Sequence, residues 1–429
     1  MRKLRARLSI ALSLALFLTI AGCDGDRTKR PAAITAISVK PTYSGELAKL
    51  TAGIEHGIAL AARQSGDSLI PLEVVSLYQE RARLTGNYDD YAKAEALLAS
   101  LASAPAPSAS LCLARARLHY TLHRLQQASD ALATCPATAE PTETAAIRAD
   151  IALYSGRYRE AETTYRALVN QSGLTQHYVR LALFKKWTGA PGEAAAFLEA
   201  AEKRFHAGSP TMHAWLKLQR GLVAFERGRF DEALAMYRLA ADALEGWWLV
   251  DEHIAEVQLL NGKMQEAKQL YESVVNRTGS PEFMDALAAI EHQQGNHDSA
   301  QKLHVKARAI YEKRLAAFPE ASAGHALDHF LRDRADMTRA LLLAKQNFET
   351  RPYGESAIAL AKAWMLAGKP ERAAALIDAQ LSSGWDTAEA YWILAEARHK
   401  LGELPRADRA KAEALRRNAH SEKMYAFAR

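Results

Sequence analysis

The feature that most constrains this chain is a pattern that repeats after 34 residues. Gly228 is followed by Phe230, Ala233 and Tyr237; Gly262 is followed by Met264, Ala267 and Tyr271. In both copies an apolar residue lies two positions after the glycine, an alanine five and a tyrosine nine. A glycine tolerates the backbone that ends one helix and turns into the next. The apolar residue, Ala and Tyr then recur at helical spacing on one face of the following helix. An alanine at a fixed place in that face marks a contact too close for a larger side chain. A period of this length means a stack of helix pairs.

The turn residue can be followed along the chain as Gly86, His123, Gly156, Gly189, Gly228, Gly262, Gly295, Ala335, Gly368 and Gly402. The alanine five residues on is present as Ala128, Ala161, Ala194, Ala233, Ala267, Ala300, Ala340, Ala373 and Ala407, and the first copy alone has Tyr91 there. The pattern resembles the tetratricopeptide repeat family, best at Gly156-Arg157-Tyr158 with Ala161 and Tyr165. The resemblance implies an all-α fold: a tetratricopeptide-type α-solenoid of antiparallel helix pairs, with about ten repeats over residues 72–429. A helix over 47–63, within a capping region 47–71, precedes them. Two gaps are long. The one between Gly189 and Gly228 has a turn signal near Gly208-Ser209-Pro210. In the one between Gly295 and Ala335, the helix over 299–317 is expected to run an extra turn.

The first 22 residues are of another kind. Arg2, Lys3, Arg5 and Arg7 precede an apolar run, Leu8–Thr19, too short to span a bilayer comfortably. Ile20-Ala21-Gly22-Cys23 then resembles a bacterial lipobox. Residues 1–22 are therefore expected to be a lipoprotein signal peptide, with Cys23 the lipid attachment point. Residues 23–46 are expected to be a flexible tether with a reach of roughly 25 Å. Asp24 resembles the inner-membrane retention signal of enteric-type lipoproteins, which favours the inner over the outer membrane. The formal charge of the whole chain is +6, and without the four basic residues of the leader it is +2. That balance gives no electrostatic case for nucleic acid.

No phosphate-binding loop, dinucleotide fingerprint, H-E-x-x-H, G-x-S-x-G or C-x-x-C-H occurs in the chain. The expectation is a protein that is not an enzyme and needs no cofactor. Cys112 and Cys135 fall at adjacent ends of an antiparallel pair. A disulfide suits an oxidising compartment, while two buried thiols acting as small hydrophobes fit the spacing as well.

In the tetratricopeptide family the first helix of each pair lines a concave binding groove. That register, carried onto this sequence, gives Leu249, Glu252 and Glu256, then Asp285 and His292, then His325, His329 and Arg332 as groove residues. Glu252, Asp285 and His325 are expected in one row, with Glu256 and His329 a turn further on. Trp247 and Trp248 are candidates for an aromatic rim, or for a plug in the core. The favoured function is a membrane-anchored periplasmic scaffold or assembly factor that cradles a protein or peptide. The alternative is a periplasmic metal- or small-ligand-binding lipoprotein using Glu252, Glu256, Asp285, His325 and His329.

Overall fold

The computed structural model describes residues 40–64, 69–101, 108–205, 208–332 and 336–425. The leader, Cys23, Asp24 and Ala335 lie outside them. Helix α1 (Tyr43–Arg63) is followed by ten helical hairpins. These are α2/α3 (Leu69–Thr85, Asp89–Ser100), α4/α5 (Ala109–Thr121, Leu125–Ala133), α6/α7 (Pro141–Tyr154, Tyr158–Ser172), α8/α9 (Thr175–Trp187, Pro191–Arg204) and α10/α11 (Pro210–Glu226, Phe230–Ala243). Then come α12/α13 (Trp248–Leu260, Met264–Thr278), α14/α15 (Pro281–Gln293, His297–Ala317), α16/α17 (Pro319–Arg332, Met337–Thr350), α18/α19 (Gly354–Leu366, Pro370–Ser383) and α20/α21 (Ala388–Lys400, Leu404–Arg417). A short α22 (Ser421–Tyr425) ends the described chain. The fold is an all-α solenoid of antiparallel helix pairs. Among the described residues there is no strand beyond two isolated bridges, and no helix is long and apolar enough to cross a membrane.

The repeat signature has the expected physical basis. All nine repeat alanines are buried, as are Tyr165, Tyr237 and Tyr271 four residues further on. The nine described turn residues adopt positive φ, and His123 (φ 62) is the only non-glycine among the described residues to do so. Its ring is 1% exposed and accepts a 2.9 Å hydrogen bond from Arg351 Nη1. A tertiary contact thus explains the departure from glycine at His123. Cys112 and Cys135 are joined by a disulfide.

Two expectations need adjusting. The first helix starts at Tyr43, inside the span assigned to the tether, because Thr42 accepts from Gly45 N as an N-cap. It packs along α2. Helix α15 starts at His297, two residues earlier than expected. The chain end folds back after α21, with Ser421, Met424 and Tyr425 buried.

The largest departure from an open repeat stack is in the winding. The ribbon of hairpins coils until one edge meets the other. Turns within early hairpins dock on links between late ones. Gly156 lies under Pro352, where an added Cβ would sit 2.7 Å from the proline carbonyl oxygen. Gly189 lies against Asp386, and Gly228 against Asn418. These partners are 190–197 positions apart, close to six hairpins. Asp386 N donates to Trp187 O (2.8 Å), and Tyr43 N and Glu245 N make reciprocal bonds to Glu245 O (2.8 Å) and Pro41 O (3.0 Å). Asn418 Nδ2 donates to Glu226 O at 2.9 Å. The long α15 belongs to this seam. Its end carries Arg314 and Phe318 onto Tyr88, and Glu320 just beyond pairs with Arg124.

Gly354 is held both across the seam and against the neighbouring hairpin. Its N–H donates to Tyr158 Oη (2.9 Å), and Tyr158 in turn donates to Gln380 Oε1 (2.9 Å). An added Cβ would overlap the Trp385 indole. Gly354→Ala is therefore expected to destabilise the fold by about 1–3 kcal/mol, the usual range for overpacking. Urea unfolding followed by circular dichroism checks this, and a midpoint equal to wild type would show that the indole has room to move.

Candidate functional site

Winding the ribbon shut turns the concave groove into an axial chamber of about 390 Å³. Its wall comes from first helices of several hairpins: Lys186 and Trp187 of α8, Trp215 and Leu222 of α10, His253 and Glu256 of α12, His325 and Asp328 of α16, Glu355 and Lys362 of α18, and Glu389 of α20. Trp187 stacks on Trp385 with centroids 5.3 Å apart, and Tyr353 meets Trp385 edge-on at 5.7 Å. Both signs of charge are present. Lys186 pairs with Glu226 (2.9 Å) and Lys362 with Glu389 (2.6 Å). Trp187 Nε1 donates to Glu355 Oε1 at 3.0 Å.

Burial sets the protonation of several wall groups. It raises the pKa of Glu355, against the pull of Lys186, and that of Asp328, against Lys362. It lowers the pKa of His325. His123, behind the wall, is pushed well down by burial and then by Arg351, so it stays neutral.

The groove residues expected from the sequence divide sharply. Leu249, Glu256 and His325 line the chamber. Glu252 does not: it is fully buried one position round the helix, and His253 takes its place on the wall. Asp285, His329 and Arg332 belong to a separate cluster, with Arg332 Nη1 reaching Asp285 O at 3.4 Å. His292 is exposed, and its Nδ1 lies 3.2 Å from His297 Nδ1. The expected row of Glu252, Asp285 and His325 does not form. Helix offset pairs each acid with another partner: Glu252 with His253 (3.1 Å), Asp285 with His329 (2.9 Å), and Glu282 with His325 (3.8 Å). Trp247 and Trp248 make no rim. They are 1% and 3% exposed, and Trp248 Nε1 donates to Leu84 O (2.9 Å) across the seam.

Two sets of potential cation ligands come together among the described residues. One is Glu252, His253 and Glu256; the other is Asp285, His304 and His329. Sequence reasoning missed His253 and His304. His304 lies on a second helix, outside the first-helix positions that carry the groove register. Its spacing to Asp285 and His329 follows no repeat.

No protein-family model and no curated protein sequence matches the chain. Among solved structures it is similar to a crystal structure of MamA (17% identity, TM-score 0.32, 39% of this chain and 96% of that chain). It is similar to a tetratricopeptide repeat protein from Parabacteroides merdae ATCC 43184 (17%, TM-score 0.35, 58% and 97%). It is also similar to an IFIT1 monomeric mutant with Gppp-AAAA (13%, TM-score 0.41, 81% and 90%).

Glu252 supplies a test of the buried polar layer. Neither of its oxygens receives a well-directed hydrogen bond among the described residues. Burial pushes its pKa from 4.5 up to about 8, with His253 opposing and Glu256 adding to the rise. His253 is also raised: burial works against its charge, but Glu252 and then Glu256 outweigh that, with Lys186 opposing. Both groups hold protons more tightly in the folded state. Their contribution is complete below about pH 4.5, the unfolded carboxyl value, and is lost as pH rises towards 8. Glu252→Gln is expected to flatten that decline and to stabilise the protein at pH 8 by about 1–3 kcal/mol, the cost of an unsatisfied buried group. Urea midpoints at pH 5, 6.5 and 8 measure it; parallel curves for the two proteins would place the proton elsewhere.

Proposed function

We propose that this chain is a non-catalytic interaction module of a bacterial envelope, held on the membrane by lipid at Cys23. In this reading its axial chamber holds a short extended segment of a partner protein, and its task is to scaffold or assemble an envelope complex. The observation that carries the reading is the chamber itself. Its volume lies within the range of ordinary ligand sites. Aromatic faces such as Trp187 and Trp385 offer contact area at little entropic cost, and Lys186, Lys362, Asp328 and Glu355 can pair with polar groups of either sign. A closed superhelix holds these groups rigidly, so binding orders few side chains.

The periplasmic setting is supported by the lipobox-like Ile20-Ala21-Gly22-Cys23 after a short apolar run. It is also supported by the Cys112–Cys135 disulfide, a bond at home in an oxidising compartment. Asp24 favours the inner membrane.

Cys23→Ala is expected to move the protein from the membrane to the soluble envelope fraction; retention after carbonate washing would mean an uncleaved anchor instead. The chamber is tested by crosslinking in intact cells and affinity capture. Leu222 is half-buried in its wall. Leu222→Arg is expected to abolish recovery of the crosslinked partner while leaving the far-ultraviolet spectrum unchanged. Equal recovery with the blocked chamber would place the partner on the outer surface.

A further inference from the structure

Asp285, His304 and His329 lie on α14, α15 and α16, three successive helices, and none of them lines the chamber. His329 is fully buried, Asp285 is 5% exposed, and the His304 side chain is 24% exposed, which leaves a path to solvent. His329 Nδ1 lies 2.9 and 3.0 Å from the two Asp285 oxygens, and His304 Nδ1 lies 3.6 Å from Oδ1. One ligand atom from each residue falls within 4.8 Å of the other two. The imidazoles stack almost parallel, 18° apart with centroids at 4.2 Å; both Nδ1 atoms lie near the same carboxylate, and for one ion to lie in the plane of both rings the partly exposed His304 ring turns out of the stack.

From this convergence we infer a binding site for one divalent transition-metal cation of the zinc class, held by Asp285, His304 Nδ1 and His329 Nδ1. Bonds of about 2.0–2.2 Å at tetrahedral angles separate ligand atoms by roughly 3.3–3.5 Å. The two histidine–carboxylate separations, 2.9 and 3.6 Å, bracket that value, and the histidine ligand atoms lie within 4.8 Å of each other. Two imidazoles and one carboxylate select this class of cation. Calcium and magnesium need more oxygen ligands than the site offers. His329 Nε2 has no hydrogen-bond partner among the described residues, so the ring is committed only from its Nδ1 side. This site does not depend on the chamber or on what the chamber holds.

The test uses the mature protein, stripped with chelator and dialysed. Zinc chloride alone is titrated by calorimetry, and cobalt chloride alone by visible absorption. One equivalent per chain is expected. His304→Ala, at a partly exposed helix position, is expected to weaken zinc binding at least 10–100-fold, the range seen when a group supporting a metal ligand is lost. His304→Gln serves as a second variant that preserves packing. Controls are Glu256→Gln in the other cluster and the double change His292→Ala with His297→Ala at the exposed pair; both are expected to keep wild-type affinity. The inference is overturned if the wild type binds no zinc, if both His304 variants bind it as wild type, or if either control abolishes binding.

Discussion

Everything distinctive in this molecule depends on the contact between successive turns of its own superhelix. A stack of helix pairs normally has only nearest-neighbour interactions, so its stability is a sum of repeats and interfaces. Here the backbone of Asp386 bonds to that of Trp187, and Asn418 caps the carbonyl of Glu226, each joining hairpins far apart in sequence. These bonds need close approach. At Gly156, Gly189 and Gly228 the next turn comes nearer than a Cβ would permit. In these three hairpins the glycine that lets the chain turn is thus also the residue that lets the ribbon edges meet.

Closure changes what the concave face is. In an open solenoid, polar residues on the first helices would be solvated. In this chain the same face is enclosed, and each charge must find a partner or lose its charge. Lys186 and Lys362 find carboxylates, Glu355 accepts from an indole, and His123 is held neutral beside Arg351. Glu252 has no comparable partner, and its raised pKa is the result. Burying an ion costs several kcal/mol unless it is matched, so these pairings are a condition of closure.

The architecture was legible from the sequence because it is local. A turn residue, an alanine five positions on and a tyrosine nine positions on all act within one hairpin, and a 33- or 34-residue recurrence makes them visible. The site was only partly legible, and the errors share a cause. Leu249, Glu256 and His325 line the chamber where the register of the repeat family, carried onto this sequence, puts them. Glu252 and Asp285 were misplaced because a shift of one position, about 100° round a helix, moves a side chain from the axis into a helix–helix interface. Trp247 and Trp248 look like surplus aromatics until Leu84 is seen beside them. That contact spans 164 positions and leaves no periodic trace.

The irregular repeats fit this account. The interval from Gly295 to Ala335 is 40 residues against a norm of 33 or 34, and in isolation such an excess looks like drift in loop length. The excess is helical. It lengthens α15 until Arg314 and Phe318 rest on Tyr88. His123 is the parallel case at the level of one residue. It gives up the conformational ease of glycine at a positive φ, and its ring bonds the guanidinium of Arg351 on the next turn. A non-glycine residue at that φ is disfavoured, and the buried hydrogen bond to a charged partner offsets the cost. In a closed superhelix, departures from the repeat consensus such as His123 and the long α15 therefore mark contacts between turns, beside the consensus glycines Gly156, Gly189 and Gly228 that permit close approach.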